Sequence, residues 1–305
     1  MGLACMDNSR SKKEGVGRTY HGYDGFAPMF AYIGVEGYML LNELRPGKQY
    51  CQNGTPDFLR ECLDTAESLV RQPLLARLDS GNDSVENLRI LHDRAAYVIK
   101  RNLRSETPEQ WLEIAKEHGT ENSPRPGKTV WRGSIWTTFE DEDNMETPVR
   151  QVFRVTERSV LADGTALLMP DIEAQVWYTN LETETDAQVI DLYCDHGTSE
   201  QYHSEYKGEI GLERLPCGKL AVNRTVMLLG MVVYNILRQI GADALNCGEL
   251  LPLRKEVSRR RIRKVIQDVI RIACKFVETG RRKIVRLASA SPWTPVLENL
   301  YHSYT

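Results

Sequence analysis

An α/β fold, with a mixed sheet flanked by helices, is what this sequence predicts, and three observations predict it. The 305 residues are 41% hydrophobic and 27% charged, the balance of a soluble globular protein with enough chain to bury a full core. Up to about residue 119, short apolar or β-branched runs alternate with longer segments of helical period. Between 129 and 181 the composition turns rich in β-branched and aromatic residues.

The first twenty residues, with SKKEGVGRTY, predict a loop. FAPMFAYIG (26–34) and GYMLLNEL (37–44), split by Val35 and Glu36, predict two strands joined by a tight turn. TPDFLRECLDTAESLVR (55–71) predicts a helix: Thr55 can cap it, Pro56 suits the first turn, and Phe58, Leu59, Cys62, Leu63, Ala66 and Leu69 form one apolar face. PLLARLD (73–79) predicts a buried strand ending in an acid. SVENLRILHDRA (84–95) predicts a helix and AYVIKRN (96–102) another strand. TPEQWLEIAKEHG (107–119) predicts a capped helix, after which the Pro and Gly of NSPRPGK break the chain. This alternation is an α/β pattern.

TVWRGSIWTTF, VRQVFRVTER and EAQVWYTNL then predict an antiparallel insertion, and helical patterns continue to about residue 286. The longest apolar run, VMLLGMVVYNIL (226–237), is too short to span a bilayer and predicts a buried helix. MGLACM lacks the apolar stretch a lipoprotein signal needs, and Met6 stands where myristoylation wants Ser or Thr, so no membrane attachment is expected. Seven cysteines, an odd number without a C-x-x-C pair, argue against a disulfide framework and a zinc site.

The formal charge of −3 hides an asymmetry. Residues 254–286 carry thirteen Lys or Arg against three acids, a local +10 that leaves −13 on the remainder. A basic tail on an acidic body suggests a polyanion partner, with Arg259, Arg260, Arg261, Arg263 and Lys264 as phosphate contacts. The same segment also reads as a solvated amphipathic helix with Val265, Val269, Ile272 and Phe276 turned inward; the two readings are compatible.

Two stretches could carry chemistry. In LLARLDSGNDS, Asp79 closes a strand at its carboxyl end, where open α/β sheets keep their ligands. Ser80-Gly81-Asn82 is turn chemistry, and Asp83 can cap the next helix. In YCDHGTSEQYHSEYK (193–207), Tyr193, Glu200 and Lys207 stand seven residues apart, so one helix would align them, with His196 a turn after the first. Such a face is either a solvated stripe or a working surface. Two carboxylates sharing a hard cation, with Lys207 and His196 near phosphate, is the second reading.

Tyr193, His196, Glu200 and Lys207 fall on the spacing Tyr-x2-Arg-x3-Glu-x6-Lys, with His in place of Arg. The sequence resembles the DDE transposases of bacterial insertion sequences that carry this signature. DNSRSKKEGVGRTYHGYDGFAPMFAYIG, LLARLDSGND, EQYHSEYKGEIGLERLPCGKLAVN and YNILRQIG are similar, in order, to stretches of one subgroup, over most of residues 7–241.

The resemblance implies an RNase H-like mixed sheet flanked by helices, with a β-rich insertion before the helix bearing a catalytic Glu, and a helical C-terminal region. The expected parts are 1–125 and 184–245 for the catalytic core, 126–183 for the insertion and 246–305 for the basic tail. It implies DNA cleavage and strand transfer at insertion-sequence ends, by in-line attack at phosphorus with two Mg²⁺ ions, Mn²⁺ being the alternative, held by an Asp, Asp, Glu triad. Asp79 would be the second acid, Glu200 the third, and the pair would sit close enough in space to share an ion. Tyr193 and Lys207 would position transposon-end DNA, with His196 a weaker substitute for Arg. In relatives the first acid precedes the DNS block. GLACM offers none, so Asp7 is the stand-in for catalysis and metal, and a reading frame shortened at its amino end is expected. The implied partner is double-stranded DNA, bound by a homodimer on paired ends in the cytoplasm, at the nucleoid. Rival readings are a DNA-binding remnant that does not cut and an RNase H-like nuclease that cuts without joining.

Overall fold

A computed structural model describes residues 1–140, 143, 145–195, 198–280 and 282–305. The chain divides into two units, one of residues 1–3 and 49–199, the other of 4–48 and 200–305.

After β1 (Gly2–Leu3), the second unit opens with β2 (Met6–Asp7), β3 (Gly17–Arg18) and β4 (Asp24–Phe26), a small sheet with β4 in the middle. The expected loop is therefore part of a core: Met6 is fully buried with Phe26 and Phe30, because its apolar side chain outweighs its polar neighbours. β5 (Met29–Ile33) and β6 (Tyr38–Glu43) form the expected antiparallel hairpin.

In the first unit α1 (Thr55–Leu69) begins one residue after the left-handed Gly54, so Thr55 lies inside the helix and its hydroxyl donates to Cys51 O. Leu69 is exposed, at the last turn, where the apolar face has run past its support. β7 (Leu75–Leu78) lies parallel to β8 (Ala96–Lys100), linked by α2 (Val85–His92). α3 (Pro108–His118) starts at a capping box of Thr107 and Gln110. NSPR does not break the chain; it belongs to the edge strand β9 (Gly119–Arg125), where Pro124 costs little, and Gly127 turns it at φ +71° into β10 (Lys128–Glu140).

β10, β11 (Glu146–Val160) and β12 (Ala166–Thr179) are antiparallel as expected. β12 also pairs with β8, so the β-rich block continues one six-stranded sheet in the order β7-β8-β12-β11-β10-β9. Alternation places Tyr97 and Ile99 against α1 and α2, and Phe153 and Val155 against α3. Val98, Val152 and Trp177 meet Val189 and Ile190 of α4 (Asp186–Cys194). The sheet is thus mixed, with helices on both faces.

The second unit resumes with α5 (Thr198–Ser204), a π turn over Glu205–Glu209 and α6 (Leu220–Leu245). Among the described residues α6 is the one helix long and apolar enough, by length and composition, to cross a membrane. It is less buried than expected: Met227, Gly230, Tyr234, Arg238 and Gly241 face the core, while Val222, Leu229, Val233 and Ile236 are exposed. The apolar residues encircle the helix, but the core covers one face.

The basic segment departs furthest from expectation. α7 (Ile262–Val265) and a π turn over Ile266–Ile270 bury Val265 and Val269. Beyond them β13 (Cys274–Thr279) and β14 (Arg282–Leu287) form a separate hairpin, and Phe276 is exposed. Alternating β-branched residues around Gly280, at φ +59°, favour a hairpin over a continued helix. α8 (Thr294–Tyr304), a helix of the expected helical C-terminal region, packs Val296 and Leu300 on Val269 and Trp293.

Candidate functional site

Asp79 follows β7 at its carboxyl end and caps the turn Ser80–Asn82. Its Oδ1 accepts the Gly81 N–H at 3.1 Å and Asn82 Nδ2 at 2.5 Å. Asn82 and Asn87 are fully buried, and Asn87 Nδ2 donates to Asn82 O at 2.8 Å and to Gln52 Oε1 at 3.4 Å. Gln52 in turn donates to Gly81 O. The acid therefore stands on a loop clamped from α2 and from the entry to α1. Burial raises its carboxyl, against the pull of the Met1 ammonium and of the Gly81 and Asn82 bonds. A raised acid on a fixed loop at a strand's carboxyl end is the environment of a functional carboxylate. Asp83 does not cap α2. Ser84 does, accepting from Asn87 N at 3.2 Å, while Asp83 Oδ2 accepts the Asn102 N–H at 2.8 Å.

Asp7 is exposed at the end of β2, and its Oδ1 accepts the Ser9 N–H at 2.9 Å and Ser9 Oγ at 2.6 Å. Those two bonds hold its carboxyl below the usual range.

Glu200 is exposed in the first turn of α5. The next residues fasten this helix within the second unit. Tyr202 donates to Val35 O at 2.8 Å, and its ring lies over Gly37, where φ is +76° and a Cβ would come within 2.3 Å of Tyr202 Cζ. His203 Nδ1 is 3.2 Å from Tyr32 Oη, and burial lowers the imidazole to about 3. Glu205 is fully buried between Arg238, which is 2% exposed, and Arg259, which binds both of its oxygens at 2.8 and 3.0 Å. Sequence reasoning missed these four anchors, Tyr202, His203, Glu205 and Arg238. The available signal was Arg238, directly after the apolar run of α6, with acids in the segment before that helix.

The expected single helix through 193–207 is interrupted: α4 ends at Cys194 and α5 starts at Thr198. The π turn then takes Lys207 off the seven-residue register. Tyr193 belongs to the first unit, its ring tilted against Trp177 at 5.6 Å. Lys207 donates to Cys5 O at 2.9 Å and lies 3.7 Å from Glu213. His196 lies outside the described residues. Of the basic cluster, Arg259 is bound to Glu205, Arg260 pairs with Asp268 over the Trp293 ring, and Arg261 pairs with Glu209 at 2.7 Å. Arg263 and Lys264 are exposed.

Asp79 belongs to the first unit, Asp7 and Glu200 to the second. Within each unit, among the described residues, no group of three or more His, Cys, Asp or Glu gathers to hold a metal ion. The three acids are oxygen donors, and that donor chemistry fits a hard divalent cation.

The model of the transposase DDE domain group 1 family matches residues 6–304. The chain belongs to this family. No curated protein matches it. It is similar to the piggyBac transposase in the cryo-EM structure of its synaptic complex with hairpin DNA, at 11% identity and a TM-score of 0.39, covering 78% of this chain and 46% of that one. This transposase domain thus spans about half the length of that structure's chain. The family match runs through all four sequence blocks, from the DNS of Asp7 to YNILRQIG, and on through the basic segment.

Proposed function

We propose that this transposase domain performs metal-dependent DNA strand cleavage and transfer at insertion-sequence ends. The observation that carries the reading is the family match over residues 6–304. The fixed, raised Asp79 at the end of β7 supports it.

Asp7, Asp79 and Glu200 are the carboxylates we assign to Mg²⁺, with Mn²⁺ as the alternative, and the bound metal supplies Lewis acidity at the phosphoryl group. The chain's own residues do the holding and placing. The Gly81 and Asn82 bonds fix the rotamer of Asp79, and the Tyr202, His203 and Glu205 anchors fix the axis of α5, on which Glu200 stands. Tyr193, His196 and Lys207 are assigned to phosphate contacts, which set register on the duplex without reading sequence. Exposed Arg263 and Lys264 add salt-dependent affinity. The partner is double-stranded DNA, engaged by a homodimer on paired ends, in a bacterial cytoplasm at the nucleoid.

A second reading, a domain that binds ends without cutting, is favoured by one observation: neither unit by itself, among its described residues, gathers a metal-holding group. Shift and cleavage assays on one preparation, using a duplex with the terminal repeats that flank the gene, separate the two. The proposal expects nicking in Mg²⁺ that stops in EDTA, and joining of a supplied 3′-hydroxyl end. Binding without nicking in either metal would select the second reading.

A further inference from the structure

Three of the five expected phosphate-binding cations, Arg259, Arg260 and Arg261, are neutralised inside the second unit by Glu205, Asp268 and Glu209. Besides the exposed Arg263 and Lys264, positive charge of the C-terminal segment without an acidic partner lies further on, in the hairpin of β13 and β14. Lys275, Arg282 and Arg286 are exposed there, and among the described residues none of the three has an ion pair or hydrogen bond from its side chain.

The register sorts these cations by face. Directly opposed residues in an antiparallel pair point to the same side, and successive residues alternate. Lys275 opposes Arg286, Val277 opposes Ile284 and Thr279 opposes Arg282, so one face carries Lys275, Arg286 and Arg282 around an apolar middle. The other face pairs Glu278 with Lys283 and Phe276 with Val285, and so balances its own charge. Two cations directly across a ladder repel, which costs stability. A polyanion laid on this face removes the repulsion.

The spacing is compatible with a duplex groove. Lys275 and Thr279, the residue opposite Arg282, are four positions apart on one strand, roughly 13 Å at about 3.4 Å per residue. The major groove of B-DNA is about 12 Å wide and admits a two-stranded ribbon. We propose that the β13–β14 hairpin is a DNA-contacting ribbon, with Lys275 and Arg286 on phosphates at one lip of a duplex groove, Arg282 on phosphates at the other, and Val277 and Ile284 over the base edges between them. Buried Val269, Val296 and Trp293, with half-buried Ile272, root the ribbon in the second unit, while its strands are exposed except for half-buried Val277 and Leu287. This inference rests on the reading of DNA as the partner and adds the surface that grips it.

The test is a salt titration of duplex binding by the full chain, comparing the parent with Lys275→Ala/Arg282→Ala/Arg286→Ala and with the charge-keeping Lys275→Arg/Arg282→Lys/Arg286→Lys. Each lost phosphate contact removes about 0.9 from the slope of log affinity against log salt, so the alanine variant should lose about 2 to 3 in slope and at least about tenfold in affinity near 0.1 M salt. The charge-keeping variant should retain the parent's slope. Arg282→Glu alone should also weaken binding, which keeps the test sound if the triple variant folds poorly. Parental slope and affinity in a folded alanine variant would overturn the ribbon and leave the DNA reading standing. A parent that binds no duplex would overturn both. Binding to vesicles containing phosphatidylglycerol, without binding to duplex, would overturn the proposal in favour of a membrane surface.

Discussion

His203 lies beside Phe30 and Tyr32, its ring centroid 5.2 and 5.3 Å from theirs, and burial keeps it neutral with its pKa lowered to about 3 from 6.5. Unfolding restores the ordinary value, so in this range the unfolded chain binds the extra proton. Stability from this residue is therefore complete above 6.5 and drains away as the pH falls toward about 3. Thermal melts over that window at fixed ionic strength should show a steep acid slope for the parent and a shallower one for His203→Asn. Parallel slopes would show that the imidazole is not buried in a neutral state. The place of Asp79 at the end of a strand was legible from sequence because a strand followed by Asp-Ser-Gly-Asn is a local pattern. His203 was not, since its partner Tyr32 lies 171 residues away and no spacing rule links them. The basic cluster misled for a related reason: a run of arginines shows its charge in sequence but not the acids that meet it.

At the scale of elements, the helix that bears Glu200 is held by one buried charge cluster. Glu205 has no exposed surface and is shared by Arg238 and Arg259. Removing one partner of a buried pair costs about 3–5 kcal/mol, and Arg259 remains to hold Glu205, so Arg238→Ala should lose about 3 kcal/mol of unfolding free energy. Urea unfolding should show a lower midpoint at unchanged slope. A loss below about 1 kcal/mol would mean that the cluster does not anchor α5. Five of the six strands of the sheet were readable because β-branched alternation and turn residues are local signals; β9 was not, because GTENSPR is polar and carries a Pro. The break between α4 and α5 was not, because the helical period of Tyr193, Glu200 and Lys207 runs straight across it. The hairpin of β13 and β14 was lost to a competing period: Val265 and Val269 are helical, and extending their spacing to Phe276 carried the helix past Gly280, where the backbone turns.

At the scale of the whole chain, the sequence order of the parts does not follow the units. Residues 4–48 join 200–305, while 49–199 build the six-stranded sheet between them in sequence. That nesting is invisible to local patterns, since it depends on pairings between the ends of the chain. The mixed α/β class and the family were legible, the first from alternation and the second from four ordered blocks. The central proposal is that Asp79 and Glu200 both serve the metal-dependent cleavage. Single-turnover cleavage of a terminal-repeat duplex in Mg²⁺ by the parent, Asp79→Asn and Glu200→Gln, each first shown to bind that duplex equally, tests it most directly. The account predicts nicking by the parent and a loss of at least about a thousandfold in each variant, on the scale of a removed catalytic group. Cleavage by either variant at the parental rate would contradict it.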